Sequence, residues 1–197
     1  MEYLRAELHC HNIFSNGHVG SLEPIHDCNV TIPQQLEQAY LAGLNVLFVT
    51  NHNTIDGYKQ MLEYKKNHQK FDELKVYPAE EVTTNNEAHV LVYGIDHVIK
   101  SGLSLHEILD EAKKQNAVTV APHPFSLLDA LRDDSIYCDL FEVFNSSNVD
   151  VYSNLRAKNF ASERDLHVVA GSDSHIRSTI GRSTNLIHSE NKLDSVI

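Results

Sequence analysis

Apolar runs that read as buried strands alternate with helical stretches across most of this chain, and the alternation predicts an α/β protein with a mostly parallel sheet and crossover helices. Two further observations narrow the architecture. Each strand-like run that matters ends in a polar tip carrying histidine or a carboxylate, the arrangement expected where functional side chains gather at the C-terminal ends of barrel strands. About seven strands fit in 197 residues, fewer than the roughly 250 residues of a usual eight-fold barrel accommodate, so the expected barrel is small or distorted. A single domain over 1–197 follows from the length and from the lack of a repeat or linker.

The elements follow in order. Glu7, His9 and His11 lie on the first extended stretch, where residues two apart face the same side, so the two imidazoles can aim at one point. Cys10 then turns to the opposite face, into packing. Residues 12–20 form a polar, glycine-containing loop. Thr31 caps a helix with Pro33 in its first turn and Gly43 as its stop. The nearly continuous apolar run 45–50 is a strand buried on both faces, ending in Asn51-His52-Asn53. Residues 56–69 are polar and helical, with Lys65 and Lys66 on the solvated face. Residues 75–84 and 88–94 pair through a turn at Asn85-Asn86, placing Glu81 and His89 near the junction. Ser104 and Glu107 make a capping box for the next helix. Two more buried strands, 117–121 and 138–144, deliver Pro122-His123-Pro124 and Asn145. A helix over about 149–164 precedes a last strand, 166–170, and the tip Asp173-Ser174-His175.

Composition sets limits on function. A net charge of −11 with no lysine or arginine cluster gives no strong nucleic-acid signal. No apolar stretch approaches the ~18 residues of a membrane span, nothing resembles a signal peptide, and the expected compartment is the cytoplasm. Three widely spaced cysteines without CxxC argue against a disulfide framework or a thiolate metal site. The 13 histidines are the anomaly, because imidazole is the commonest metal ligand. His26, His68, His97, His106, His167 and His188 fall away from the strand tips and read as structural or solvated. Taken singly, each of the others has an ordinary explanation as a hydrogen-bonded residue at a strand end. Together, His9, His11, His52, His89, His123 and His175 with Glu81 and Asp173 all fall at termini expected to share one rim.

In these positions the chain resembles the PHP family, the polymerase and histidinol phosphatase superfamily. His9-Cys10-His11 followed by FSNG over 14–17 is similar to the opening HxH…SDG motif, and TNH over 50–52 to its TDH motif. Ala79-Glu80-Glu81 resembles the glutamate motif, His89 and the residues after it the following histidine motif, Pro122-His123-Pro124 the central one, and Asp173-Ser174-His175 the closing DxH motif. The match runs in order through about 7–182. The resemblance implies a distorted (β/α)7 TIM-like barrel of PHP type with two or three divalent ions, zinc, manganese or iron, held by His9, His11, His52, Glu81, His89, His123, Asp173 and His175. Glu81 suits a bridging role. Phosphoester hydrolysis by metal-activated water is the implied chemistry, with His9, His11, Glu81, His123 and Asp173 at its centre.

Two departures stand out: Asn16 replaces the Asp of SDG, and Asn51 the Asp of TDH. Asn16 is a poor ligand, and His18 either swings to the same ion or remains a solvated loop histidine. Arg177 and Arg182, after the closing motif, are candidates to bind substrate phosphate. The expected function is a metal-dependent phosphoesterase acting on a small phosphorylated substrate. The alternatives are a catalytically weak metal-binding module with a regulatory role, motivated by the two asparagines, and hydrolysis of another bond such as an amide. Specificity is expected in the irregular stretches 12–32 and 126–137, while the sequence leaves oligomeric state open.

Overall fold

The computed structural model describes residues 3–18 and 26–188. Part of the loop expected to carry specificity, and the chain end after His188, lie outside these residues. Eight strands form one sheet in the order β7-β6-β5-β4-β3-β2-β1-β8: β1 (Tyr3–Glu7), β2 (Val46–Val49), β3 (Lys75–Thr83), β4 (His89–Tyr93), β5 (Val118–Ala121), β6 (Leu140–Asn145), β7 (Val168–Gly171) and β8 (Asn185–His188). The distorted barrel is therefore present, with one strand more than expected. β8 escapes a sequence reading because its four residues alternate half-buried and exposed and carry no buried run.

The sheet is mixed. β1/β2, β2/β3, β5/β6 and β6/β7 pair in parallel, whereas β3/β4, β4/β5 and β1/β8 pair antiparallel. The β3–β4 hairpin is the one predicted from Asn85-Asn86, and it reverses β4 against its parallel neighbours. Between β7 and β8 the ring is closed by a side chain: the Asn185 amide accepts from Ala170 N (2.9 Å) and donates to Ala170 O (2.7 Å). A carboxamide can do both at once, which reproduces a strand rung without a strand.

Among the described residues four α-helices cover the outside: α1 (Ile32–Leu41), α2 (Asp56–Lys66), α3 (Leu105–Lys114) and α4 (Val151–Arg164). Their starts match the sequence signals. Gln34 Oε1 accepts from Thr31 N ahead of α1, Glu107 accepts from Ser104 N ahead of α3, and Gly43 takes the left-handed conformation after α1 with φ 67°. A 3₁₀ turn, Arg132–Tyr137, stands where a crossover helix between β5 and β6 would lie.

Strand alternation sorts the core into layers. Phe48, Tyr77, Ala79, Leu91, Tyr93 and Val120 pack inside the barrel. Leu47, Val49 and Val76 meet α1 and α2 outside, and Val82, Val90 and Val92 meet α3 and α4. Phe48 lies against Tyr77 and Tyr93 at 5.1 and 4.7 Å between ring centres, and the Tyr93 hydroxyl donates to Leu8 O. This aromatic plug closes the barrel below the rim at which Glu81 emerges. Cys10 and Cys28 are buried and Cys138 half-buried, all free thiols, in keeping with packing roles. Among the described residues no helix is long and apolar enough to cross a membrane.

Candidate metal centre

Every predicted rim histidine comes from a strand end. β1 stops at Glu7, so His9 and His11 sit beyond the strand rather than within it, on an extended continuation held by His11 N bonding Ser174 O and by Asp173 N bonding His9 O. The alternation survives the loss of the strand, and Cys10 packs outward against the α1 core. His52 follows β2, His123 follows β5, and Asp173 and His175 follow β7. His89 is the first residue of β4, not its last. Because β4 runs antiparallel, its beginning lies at the same rim as the other strands' ends.

These side chains converge on Glu81, which points inward from β3. Its Oε1 lies 3.2 Å from His89 Nδ1 and 3.1 Å from His123 Nε2. Its Oε2 lies 3.3 Å from His9 Nε2, 3.2 Å from His11 Nε2 and 3.6 Å from His52 Nδ1. Asp173 Oδ1 is 3.4 Å from both His9 and His11 Nε2 and 3.5 Å from His175 Nδ1. One carboxylate with an imidazole pair on one oxygen and three imidazoles on the other is a bridging arrangement.

A third carboxylate, one that the sequence reading did not single out, completes the cluster. Asp27 Oδ1 lies 3.2 Å from His175 Nε2 and Oδ2 lies 3.9 Å from His52 Nε2. Asn16 turns its amide to the backbone of the Asp27 segment. Its Oδ1 accepts from Asp27 N and Cys28 N, while its Nδ2 donates to Cys28 O. The residue that departs from the family motif thus clamps the backbone that presents Asp27. Asn51, the other departure, exchanges hydrogen bonds with Asn12 (2.8 and 2.9 Å) and accepts from Ser15 Oγ, and an aspartate could not donate to Asn12.

Three groups of donors lie within 4.8 Å of one another: His11, Asp27, His52 and His175; His9, His11, Glu81 and Asp173; and His52, Glu81 and His89. Buried polar atoms test whether cations fit. His11 Nε2, His52 Nδ1, His123 Nδ1 and Asp27 Oδ2 are buried without a hydrogen-bond partner, a costly state for a polar atom in a dry interior. Mixed imidazole and carboxylate donor sets suit divalent cations, and such ions would occupy the His11, His52 and Asp27 atoms.

Burial opposes the charge on His9, yet Asp173, Glu81 and Glu142 raise it well above the ordinary imidazole range. Against burial, the Asp27 hydrogen bond and Asp173 raise His175 to about 9. Burial pushes His52 down to about 3, only partly offset by Glu81. Burial would raise Glu81 and Asp173, but the surrounding imidazoles, His9 foremost, hold both well below the usual carboxylate range.

β6 supplies no member of the predicted ligand set but orients several. Glu142, buried, lies 3.1 Å from His9 Nδ1, accepts from His123 N at 2.7 Å and from Asn145 Nδ2 at 2.9 Å, and Asn145 Nδ2 also reaches Asp173 Oδ2. Ser15 Oγ lies 3.1 Å from His11 Nδ1. Partners on Nδ1 turn the Nε2 atoms of His9 and His11 toward the centre. Gly171 is required here by space: a Cβ would stand 2.0 Å from Glu142 Oε1 and 2.5 Å from His9 Cβ.

Three sequence candidates are not brought into the cluster. His18 is exposed, and its carbonyl accepts from Asn53. Arg177 is exposed beside Asn29, Gln34 and Gln38 on the α1 side. Arg182 is exposed, its backbone bonded to Thr179.

Comparisons with known proteins agree with this architecture. Residues 151–197 match a family profile described as PHP-associated. The chain is 32% identical over 161 residues to the uncharacterised protein MJ1587 of Methanocaldococcus jannaschii, covering 79% of this chain and 90% of that one. Among solved structures it is similar to PsfC of Pseudomonas syringae (TM-score 0.72, 19% identity, 98% of this chain and 84% of that one). It also resembles an Endonuclease Q complexed with a 27-mer duplex bearing an abasic lesion (TM-score 0.72, 17% identity), of which it spans 55% against 99% of itself. A third likeness is to a Bifidobacterium adolescentis protein assigned as a metal-dependent phosphoesterase (TM-score 0.66, 17% identity, 97% and 93%).

Proposed function

Since the chain belongs to the polymerase and histidinol phosphatase (PHP) superfamily, we propose that it is a metal-dependent hydrolase of phosphate esters, acting in the cytoplasm on a small phosphorylated molecule. The observation that carries this reading is Glu81, a buried carboxylate whose two oxygens each face separate imidazoles within 3.6 Å. His9, His11, Glu81 and Asp173 would hold one ion and His52, Glu81 and His89 a second, with His123 beside it; Asp27 and His175 offer a third position, for which His11 and His52 are donors only where their nitrogens are not already given to the first two. Bound divalent ions supply Lewis acidity at phosphoryl oxygens and lower the pKa of water to near neutrality.

The protein's own contribution is orientation and exclusion. Glu142 and Ser15 fix the tautomers of His9 and His11 through Nδ1. The Phe48–Tyr77–Tyr93 plug keeps water from the site's inner side. Asp173 and His175, 16% and 30% exposed, form the solvent-facing edge at which an ester would arrive. Of the two asparagines that motivate the regulatory reading, Asn16 has a carboxylate, Asp27, beside it that faces His52 and His175.

Full-length protein reconstituted with manganese, zinc or iron and assayed for phosphate release on a panel of phosphomonoesters and diesters tests the proposal. Turnover that vanishes in Glu81→Gln is expected. Inactivity on every ester together with cleavage of amides would overturn it in favour of another hydrolase chemistry.

A further inference from the structure

Beside the cluster lies a cavity of about 430 Å³ whose floor carries His123 and Asp173 and whose walls carry Leu127, Leu128 and Val149. The first two belong to the loop after β5, the third to the loop before α4. Leu127, Leu128 and Val149 are 68%, 73% and 85% exposed, an unusual state for three apolar side chains sharing one opening.

The loops that present them are held by hydrogen bonds. Ser126 N bonds His123 O, His89 N bonds Asp129 O and Arg132 N bonds Pro124 O. On the opposite wall, Ser147 Oγ donates to Ser172 O and Asp173 O. His123, Asp129 and Arg132 all adopt positive φ, 28°, 57° and 55°, a backbone cost for residues with a Cβ that clusters at functional sites. The leucines are thus presented on a fixed frame, which lowers the ordering cost of binding.

Charge narrows the occupant further. Among the described residues lining this cavity are two carboxylates, Asp129 and Asp173, and neither lysine nor arginine. Arg132, on the same loop, directs its guanidinium to the Leu127 carbonyl at 3.3 Å. A leaving group with a second phosphate would meet Asp129 there and no cationic side chain, whereas an apolar one would cover the leucines and gain by leaving water.

We infer that this cavity binds the alcohol portion of the substrate, and that the alcohol is apolar and carries no anionic group. The inference rests on the phosphoesterase reading, and the experiment separates the two. Benzyl and methyl phosphate, whose alcohols leave with similar intrinsic ease, are compared as substrates of the manganese-loaded protein, together with propyl phosphate and 1,3-propanediol bisphosphate. Binding of 2-phenylethylphosphonate and ethylphosphonate, which cannot be hydrolysed at the C–P bond, is measured by calorimetry on the same protein.

Benzyl is expected to exceed methyl phosphate in kcat/KM by about tenfold or more, the phosphonates to bind in the same order, and the bisphosphate to be the poorer of its pair. Leu127→Ser with Leu128→Ser, at exposed positions, should shrink both preferences about tenfold. Ester hydrolysis that is indifferent to the aromatic group, or that favours the bisphosphate and loses that preference in Arg132→Gln, would overturn the inference and leave the phosphoesterase reading standing. No ester hydrolysis, with the phosphonate order intact, would support the apolar cavity and sink the reaction assigned to it. If the double variant instead dissociates a dimer in light scattering and leaves the preferences unmoved, the leucines serve self-association and the inference fails.

Discussion

The two faces of β3 put adjacent carboxylates in contrasting surroundings. Inward, Glu81 meets five imidazoles within 3.6 Å, and despite complete burial it stays ionised far below the usual range. Outward, Glu80 shares the face of Val82 against the α3 and α4 layer, accepts one bond from Ile99 N at 2.5 Å, and leaves Oε2 without a partner. Burial alone then dominates and pushes it up to about 8. Both are shut away from solvent, so partners decide which carboxyl is an anion and which is a neutral hydrogen-bonding group.

Substitutions on either face should break the pair apart. The largest effect is expected from Glu81→Gln, which keeps the shape but removes the charge between the imidazoles. Metal content by elemental analysis should fall from two or three ions to one at most, since a neutral amide cannot bridge cations. Glu80→Gln should do the reverse and stabilise. Glu80's folded pKa lies above the unfolded value of 4.5, so wild-type stability falls as pH rises from about 4.5 to 8 while the unfolded chain ionises first. Gln removes that penalty, worth on the order of 5 kcal/mol above pH 8 and nothing below pH 4.5. Urea midpoints of the two proteins at pH 4.5, 6 and 8 check the sign: they should coincide at the acid end and separate progressively.

Smaller changes sharpen the inward face. Glu142→Gln keeps one oxygen but loses the charge facing His9, and a roughly 10- to 100-fold loss of metal affinity is expected, read by competition with a chelator dye. Least of all, Asn16→Asp should not add an ion, although it restores the family motif, because a carboxylate cannot donate to Cys28 O. Asp27→Asn should remove one ion and leave the others. If Asn16→Asp instead raises metal content, the role given to Asp27 is wrong.

The reach of the sequence follows the same contrast between strand and loop. Rim histidines were legible because each follows or opens an apolar run, and two-residue spacing survives even where His9 and His11 lie beyond β1. His89 was placed correctly although its strand runs backward, since Asn85-Asn86 announced the hairpin. Asp27 was invisible: no apolar run in the sequence ends at it, and only folding brings it to His175. Glu142 left a faint trace, a carboxylate inside the apolar run Phe141–Phe144, which a buried strand does not carry without a partner. Arg177 and Arg182 were singled out by closeness to His175 in sequence, and the structure leaves both exposed at the surface rather than among the converging side chains.

The account stands on cations gathering around Glu81. Diffraction from crystals grown with manganese, collected to record anomalous scattering, addresses that directly. At least two peaks are expected, one on each side of the Glu81 carboxylate and both absent in Glu81→Gln. A single peak elsewhere, or none with the imidazoles still bonded to Glu81, would contradict it.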